Sequence, residues 1–155
     1  MFIKAPSGRQ RFNVLGALNA ITHEMIAITN TGCINAYSVC ELLVRITQKC
    51  GDLPITIILD NARYQKCKLV QETSKLFGIE LLYLPPYSPN LNLIERLWKF
   101  VKKKCLYSTY YSDFDSFKKA ISQCLAKTDG CYKNELNSYL SLNFQSFSKS
   151  QIVAF

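Results

Sequence analysis

Two short apolar runs constrain this chain most: ITIIL at 55–59, closed by Asp60, and IELLYL at 79–84. Between them, residues 65–77 carry Leu69, Val70, Thr73, Leu76 and Phe77 at helical spacing, and Gly78 marks the stop. A strand, a helix and a second strand in so short a span form a β-α-β unit, which needs a sheet with helices packed on it.

The flanking segments extend that pattern. RFNVLGALNA at 11–20 and EMIAITNTG at 24–32 read as two strands of an antiparallel hairpin. Residues 35–50 place Val39, Leu42, Leu43 and Ile46 on one helical face, ending before Gly51. After the second run, PPYSPN breaks all periodicity. Ser88 is the expected N-cap of the next helix, with Pro89 as its first residue. Leu91, Ile94, Leu97, Trp98, Val101 and Cys105 form that helix's apolar stripe. A further helix is expected over about 113–127, from Phe114, Phe117, Ile121 and Leu125. No element is assigned to the aromatic and polar tail at 130–155. The order β-β-α-β-α-β-α-α indicates an α/β fold with a mixed sheet and flanking helices.

Composition narrows the class. With 155 residues, 48% hydrophobic and 19% charged, the chain suits one globular domain. A net charge of +8 favours a polyanionic partner. Seven cysteines form no C-x-x-C pair, and His23 is the single histidine, which argues against zinc. The odd count without a signal peptide implies reduced thiols in the cytoplasm. No apolar run is long enough to span a bilayer. Cysteines 40, 50, 67 and 124 are expected to pack as small apolar groups, and His23 to sit in a turn.

Two acids stand out. Asp60 ends a buried strand, where α/β sheets bind ligands. A carboxylate there must be solvated, hydrogen-bonded or bound to a cation. Equally, Asp60 and Asn61 can simply open the turn. Glu95 borders the apolar stripe of its helix, with Lys99 and Lys102 on the same side, while Arg96 and Lys103 point further toward solvent. It too has ordinary readings: a capping pair with Asn92 or an i,i+4 ion pair with Lys99. The combination is more specific, because one acid ends a strand and the other rides the helix after the next strand.

ILDNA, then 34 residues between Asp60 and Glu95, then the acid within YLPPYSPNLNLIERLW, resembles the catalytic core of DDE transposases. The likeness is nearest to bacterial insertion-sequence members of the mariner superfamily, and PSGRQRFNVLGALN is similar to that group as well. It covers roughly residues 6–147, leaving 148–155 as a tail. The resemblance implies a ribonuclease H-like fold. It also implies an acid triad holding two Mg²⁺ (or Mn²⁺) ions, with DNA strand cleavage followed by attack of the freed 3′-OH. Such ions take hard oxygen ligands and can activate the entering oxygen while stabilising the leaving one. On this match Asp60 is the second acid and Glu95 the third.

The first acid of that family lies on an earlier strand, and residues 1–10 contain no Asp or Glu. Glu24 falls too late in the strand order to replace it. The expectation is therefore a catalytic domain without its first strand and without the helix-turn-helix module, inactive alone. It would act on DNA as an oligomer or with an upstream transposase segment. Candidate phosphate contacts are Arg9, Arg11, Arg63, Lys66, Lys99, Lys102 and Lys103, with Lys104 weaker. Tyr87 and Trp98 could stack on bases, but Trp98 fits the stripe better. A non-catalytic DNA-binding fragment is the main rival. A phosphate-accepting receiver-like domain lacks its further acids and lysine, and a nucleotide-binding fold lacks its glycine-rich loop.

Overall fold

The computed structural model describes residues 10–85 and 91–141. Strands β1 (Asn13–Leu18) and β2 (Met25–Asn30) form an antiparallel hairpin, in register from Asn13 opposite Asn30 to Leu18 opposite Met25. The loop between them is held by Asn19, whose Oδ1 accepts from the Ile21 and Thr22 amides. His23 takes φ 60° there, an uncommon value for a non-glycine residue, and its Nδ1 lies 2.6 Å from Asn137 Oδ1. The turn expected at His23 is thus observed.

Helix α1 (Ala36–Cys50) starts in a reciprocal capping box: Asn35 accepts from the Ser38 amide, and Ser38 Oγ accepts from the Asn35 amide. It ends at Gly51, whose φ of 60° suits glycine. Its buried stripe is the expected Val39, Leu42, Leu43 and Ile46. Fully burying each such side chain stabilises by about 1.5–3 kcal/mol before chain entropy is charged.

Strands β3 (Ile55–Leu59) and β4 (Ile79–Tyr83) pair in parallel, joined by a 3-10 turn (Arg63–Gln65) and helix α2 (Lys68–Leu76). Helix α2 begins later than its periodicity predicts because the 3-10 turn takes up Arg63–Gln65. Helix α3 (Leu93–Cys105) is followed by α4 (Phe114–Ala126) and α5 (Lys133–Tyr139). The expected start of α3 is corrected. Its cap is Asn92, whose side chain accepts from the Ile94 amide, and Ser88 and Pro89 lie outside the described residues. Helix α5 falls in the stretch that periodicity leaves unassigned.

Strand directions are mixed, as expected, but the described strands form two separate pairs, β1–β2 and β3–β4. Helix α1 packs on both. Leu15 of β1 and Ile55 and Ile57 of β3 all pack against the buried face formed by Val39, Leu42, Leu43 and Ile46. On its other face, β1 presents Val14 and Leu18 to a second core built on Leu97, Phe100 and Val101 of α3, with Ile121 and Leu136 from α4 and α5. The hairpin is therefore enclosed between α1 and α3. The β3–β4 pair is covered by α1 and α2 on one face only, and Ile58 and Leu82 on the other face are 54% and 47% exposed. Cys40, Cys50 and Cys67 pack at cluster edges, and Cys124 is buried.

Candidate active site

Asp60 follows β3 directly and is exposed. Its Oδ1 accepts a 3.1 Å hydrogen bond from the Ala62 amide, so the side chain shapes the turn that leaves the strand. Asn61 acts across the gap: its Nδ2 donates to the Leu84 carbonyl, just beyond β4. The Leu84 amide in turn donates to the Leu59 carbonyl at 2.9 Å. The carboxyl ends of the two parallel strands are thereby tied side by side, with Asp60 at their rim. The turn-forming role of Asp60 is real, and it leaves the carboxylate in water at that rim.

Tyr64 stands near this acid. Partial burial pushes its phenol above the ordinary tyrosine value, and the negative charge of Asp60 adds to the effect. The next residue, Gln65, is buried, and its Oε1 has no hydrogen-bond partner among the described residues. The Tyr83 hydroxyl donates to the Gln65 carbonyl at 3.1 Å, and partial burial raises the Tyr83 pKa. Asn61, Tyr64 and Gln65 surround the acid rim but were not singled out by spacing. Only the run Asp-Asn after a strand could have flagged Asn61.

Glu95 is half-buried in the first turn of α3, where an acid complements the helix dipole. Its amide donates to the Asn92 carbonyl at 3.1 Å. Trp98, one turn further on, packs in the core over β1, as the stripe requires. A Cβ added at Gly16 would lie 3.1 Å from the Trp98 ring. The end of α3 that carries Glu95 is therefore set by tryptophan packing on the hairpin. Among the described residues, Glu95 and Lys99 form no ion pair.

The cations divide into two groups. Arg11, Arg63, Lys66, Lys99 and Lys102 are exposed, and the Lys66 ammonium lies 5.2 Å from the centre of the Tyr83 ring. Lys103 is turned toward α5: it donates to the Tyr139 hydroxyl at 2.9 Å, and that bond raises its pKa. Lys104 pairs with Glu135 at 2.7 Å. Arg96, expected to point to solvent, is half-buried and donates to the Ser141 carbonyl. Arg9 and Tyr87 lie outside the described residues.

Two carboxylates are hard oxygen donors that suit one Mg²⁺ ion retaining several waters. Among the described residues, no group of three or more His, Cys, Asp or Glu side chains could hold a metal.

The chain is 35% identical over 49 residues to the uncharacterized protein y4pE/y4sA of Sinorhizobium fredii (strain NBRC 101917 / NGR234), a match covering 32% of this chain. That match spans only 34% of the relative's length. Its fold is similar to the catalytic core domain of BIV integrase (TM-score 0.59, 16% identity, 83% of this chain and 92% of that one). It is also similar to a chain of the simian T-cell lymphotropic virus intasome, solved in complex with PP2A regulatory subunit B56 gamma. There the TM-score is 0.61 at 15% identity, covering 77% of this chain and 43% of that chain. These likenesses identify a ribonuclease H-like mixed α/β fold. The sequence model of the DDE superfamily endonucleases matches residues 2–118, well over half of the chain, and the chain belongs to that family.

Proposed function

We propose that this is the catalytic domain, over residues 1–147, of a DNA transposase from a bacterial insertion sequence of the mariner superfamily. In the intact enzyme it cleaves and joins DNA strands with divalent metal, in the cytoplasm. Asp60 and Glu95 are the two metal-binding acids supplied by this chain. The observation that carries the reading is the placement of Asp60: exposed, just past β3, on a rim fixed by the bond from Asn61 to Leu84. Asp60 would offer oxygen to the metal without leaving its turn, since Oδ1 already anchors the backbone. Glu95 would be aimed by the Trp98 packing one turn below it.

Arg9, Arg11, Arg63, Lys66, Lys99, Lys102 and Lys103 would hold DNA phosphates near the acids and offset their repulsion. These contacts carry no sequence information. The chain is inactive alone, and its partners are DNA and either further copies or a separately supplied transposase segment.

Water-proton relaxation with Mn²⁺ tests the acid assignment. Asp60→Asn and Glu95→Gln should each weaken Mn²⁺ binding; unchanged binding in both removes their role. Incubation of the chain with supercoiled plasmid and Mn²⁺ or Mg²⁺ should give no nicking. Metal-dependent nicking that vanishes in Asp60→Ala or Glu95→Ala would overturn the claim of inactivity. The lack of a three-ligand cluster among the described residues also favours a second reading, a non-catalytic regulatory DNA binder. That reading expects salt-sensitive DNA binding, and no Mn²⁺ affinity dependent on the two acids.

A further inference from the structure

Residues 61–65 are tied at both ends to the end of β4. Asn61 donates to the Leu84 carbonyl, and the Tyr83 hydroxyl donates to the Gln65 carbonyl at 3.1 Å. The two anchors are consecutive residues of one strand end. The bonds between them stay local. The Gln65 amide donates to the Ala62 carbonyl at 3.0 Å, and the Lys66 amide to the Arg63 carbonyl at 3.2 Å. The Cys67 thiol donates to the Tyr64 carbonyl at 3.4 Å. Among the described residues, the Tyr83 bond is the one hydrogen bond from a strand to residues 62–66. Tyr64 adds apolar contact with the cluster of Val39, Leu43, Val70 and Ile79. Such contact has no direction, so it holds the segment down without aiming its amides.

Asp60 depends on that aim. Its Oδ1 accepts from the Ala62 amide, which lies between the two anchors. A carboxylate held by one amide is only as fixed as that amide. β4 is a firm reference: Ile79 is buried, Leu81 packs in the same cluster, and Tyr83 follows them on the same face. The Lys66 ammonium, 5.2 Å from the centre of the Tyr83 ring, adds a cation–ring attraction. Partial burial raises the pKa of the Tyr83 phenol, so at neutral pH the hydroxyl carries the proton it donates.

We propose that Tyr83 is a positioning residue of the acid site: its hydroxyl fixes the 3-10 turn at Gln65, and the turn fixes the Asp60 carboxylate for a divalent cation. Tyr83 acts through Gln65 and Ala62, not by contact with the ion. Mg²⁺ demands near-octahedral geometry, so a ligand that wanders binds it less well. The inference rests on the reading of Asp60 as a metal ligand.

Tyr83→Phe tests it, because the ring stays beside Lys66 and only the hydroxyl is lost. In the full chain, exchange of the Ala62 and Gln65 amides, followed by NMR, should quicken about fivefold. Mn²⁺ affinity, read by water-proton relaxation, should fall by about the same factor. The Leu84 amide, bonded to the Leu59 carbonyl between the strands, should exchange as before. Equal quickening at Leu84 would mean general loosening and would sink the proposal. So would a loss of Mn²⁺ affinity without faster exchange at Ala62, since the hydroxyl would then act by another route. Asp60→Asn separates the two ways of failing. If it weakens Mn²⁺ binding and Tyr83→Phe does not, the positioning role falls and the metal reading stands. If Asp60→Asn leaves Mn²⁺ binding unchanged, the metal reading falls and takes the positioning role with it.

Discussion

A methyl group at position 16 would collide with two side chains. The added Cβ would sit 2.7 Å from Met25 Cε and 3.1 Å from Trp98 Cη2, and although the methionine can swing aside, the indole is wedged in the core. Gly16→Ala is expected to cost about 1–3 kcal/mol, read in urea unfolding by the fluorescence of Trp98, the only tryptophan. Cys105 illustrates burial acting on chemistry: removal from water pushes its thiol up to about 12, with the neighbouring Cys124 adding to the shift. At pH 8 it should resist Ellman's reagent until the protein unfolds, while the exposed Cys33 and Cys131 react at once. Asp113 shows the opposite sign. Hydrogen bonds from the Ser116 amide and hydroxyl and the Ser112 hydroxyl hold its carboxyl below the usual value. Its stabilisation of α4 is complete above the unfolded carboxylate pKa of about 3.9 and is lost as pH falls through the lower folded value. Acid titration of Asp113→Asn should lack that loss. The turn at Asp60 and the place of Glu95 on a helix were legible from the local pattern. Asn61 was not, since its bond to Leu84 joins two strands 23 positions apart in the chain.

At the scale of elements, α3 organises the second core. Phe100 is fully buried and meets Tyr132 and Tyr139 edge-on, with ring centres 5.7 and 5.4 Å apart. Those contacts dock α5, so Phe100→Ala should cost about 3–5 kcal/mol and release α5 before the rest unfolds. Hydrogen exchange at the Leu136 and Leu140 amides, both bonded within α5 and its end, would show it. The four strands, α1 and α4 were readable because each repeats apolar residues over several turns or pleats. Helix α5 was not: it is seven residues long, and Leu136 is its only buried side chain. No period can be read from one point. The start of α3 was misplaced because Ser-Pro is a good local start signal, whereas Asn92 becomes the cap only once Ile94 and Trp98 have chosen which face packs.

For the whole molecule, the net charge of +8 sets a measurable dependence on salt. DNA affinity should fall linearly on a log–log plot against salt, and Lys99→Ala or Lys102→Ala should each lower the slope by about one if it contacts a phosphate. Filter binding across a salt series checks this; an unchanged slope in both variants would place the DNA elsewhere. Mixed strand order was legible from the sequence of β and α segments, but the division into two pairs was not, because pairing between distant strands leaves no local trace. That division has a thermal consequence. Among the described residues, the halves are joined through α1 by apolar contact, with no ladder between them. Apolar attraction weakens as water cools. Chilling should therefore loosen the seam between the halves first, while each hairpin or parallel pair keeps its own backbone bonds.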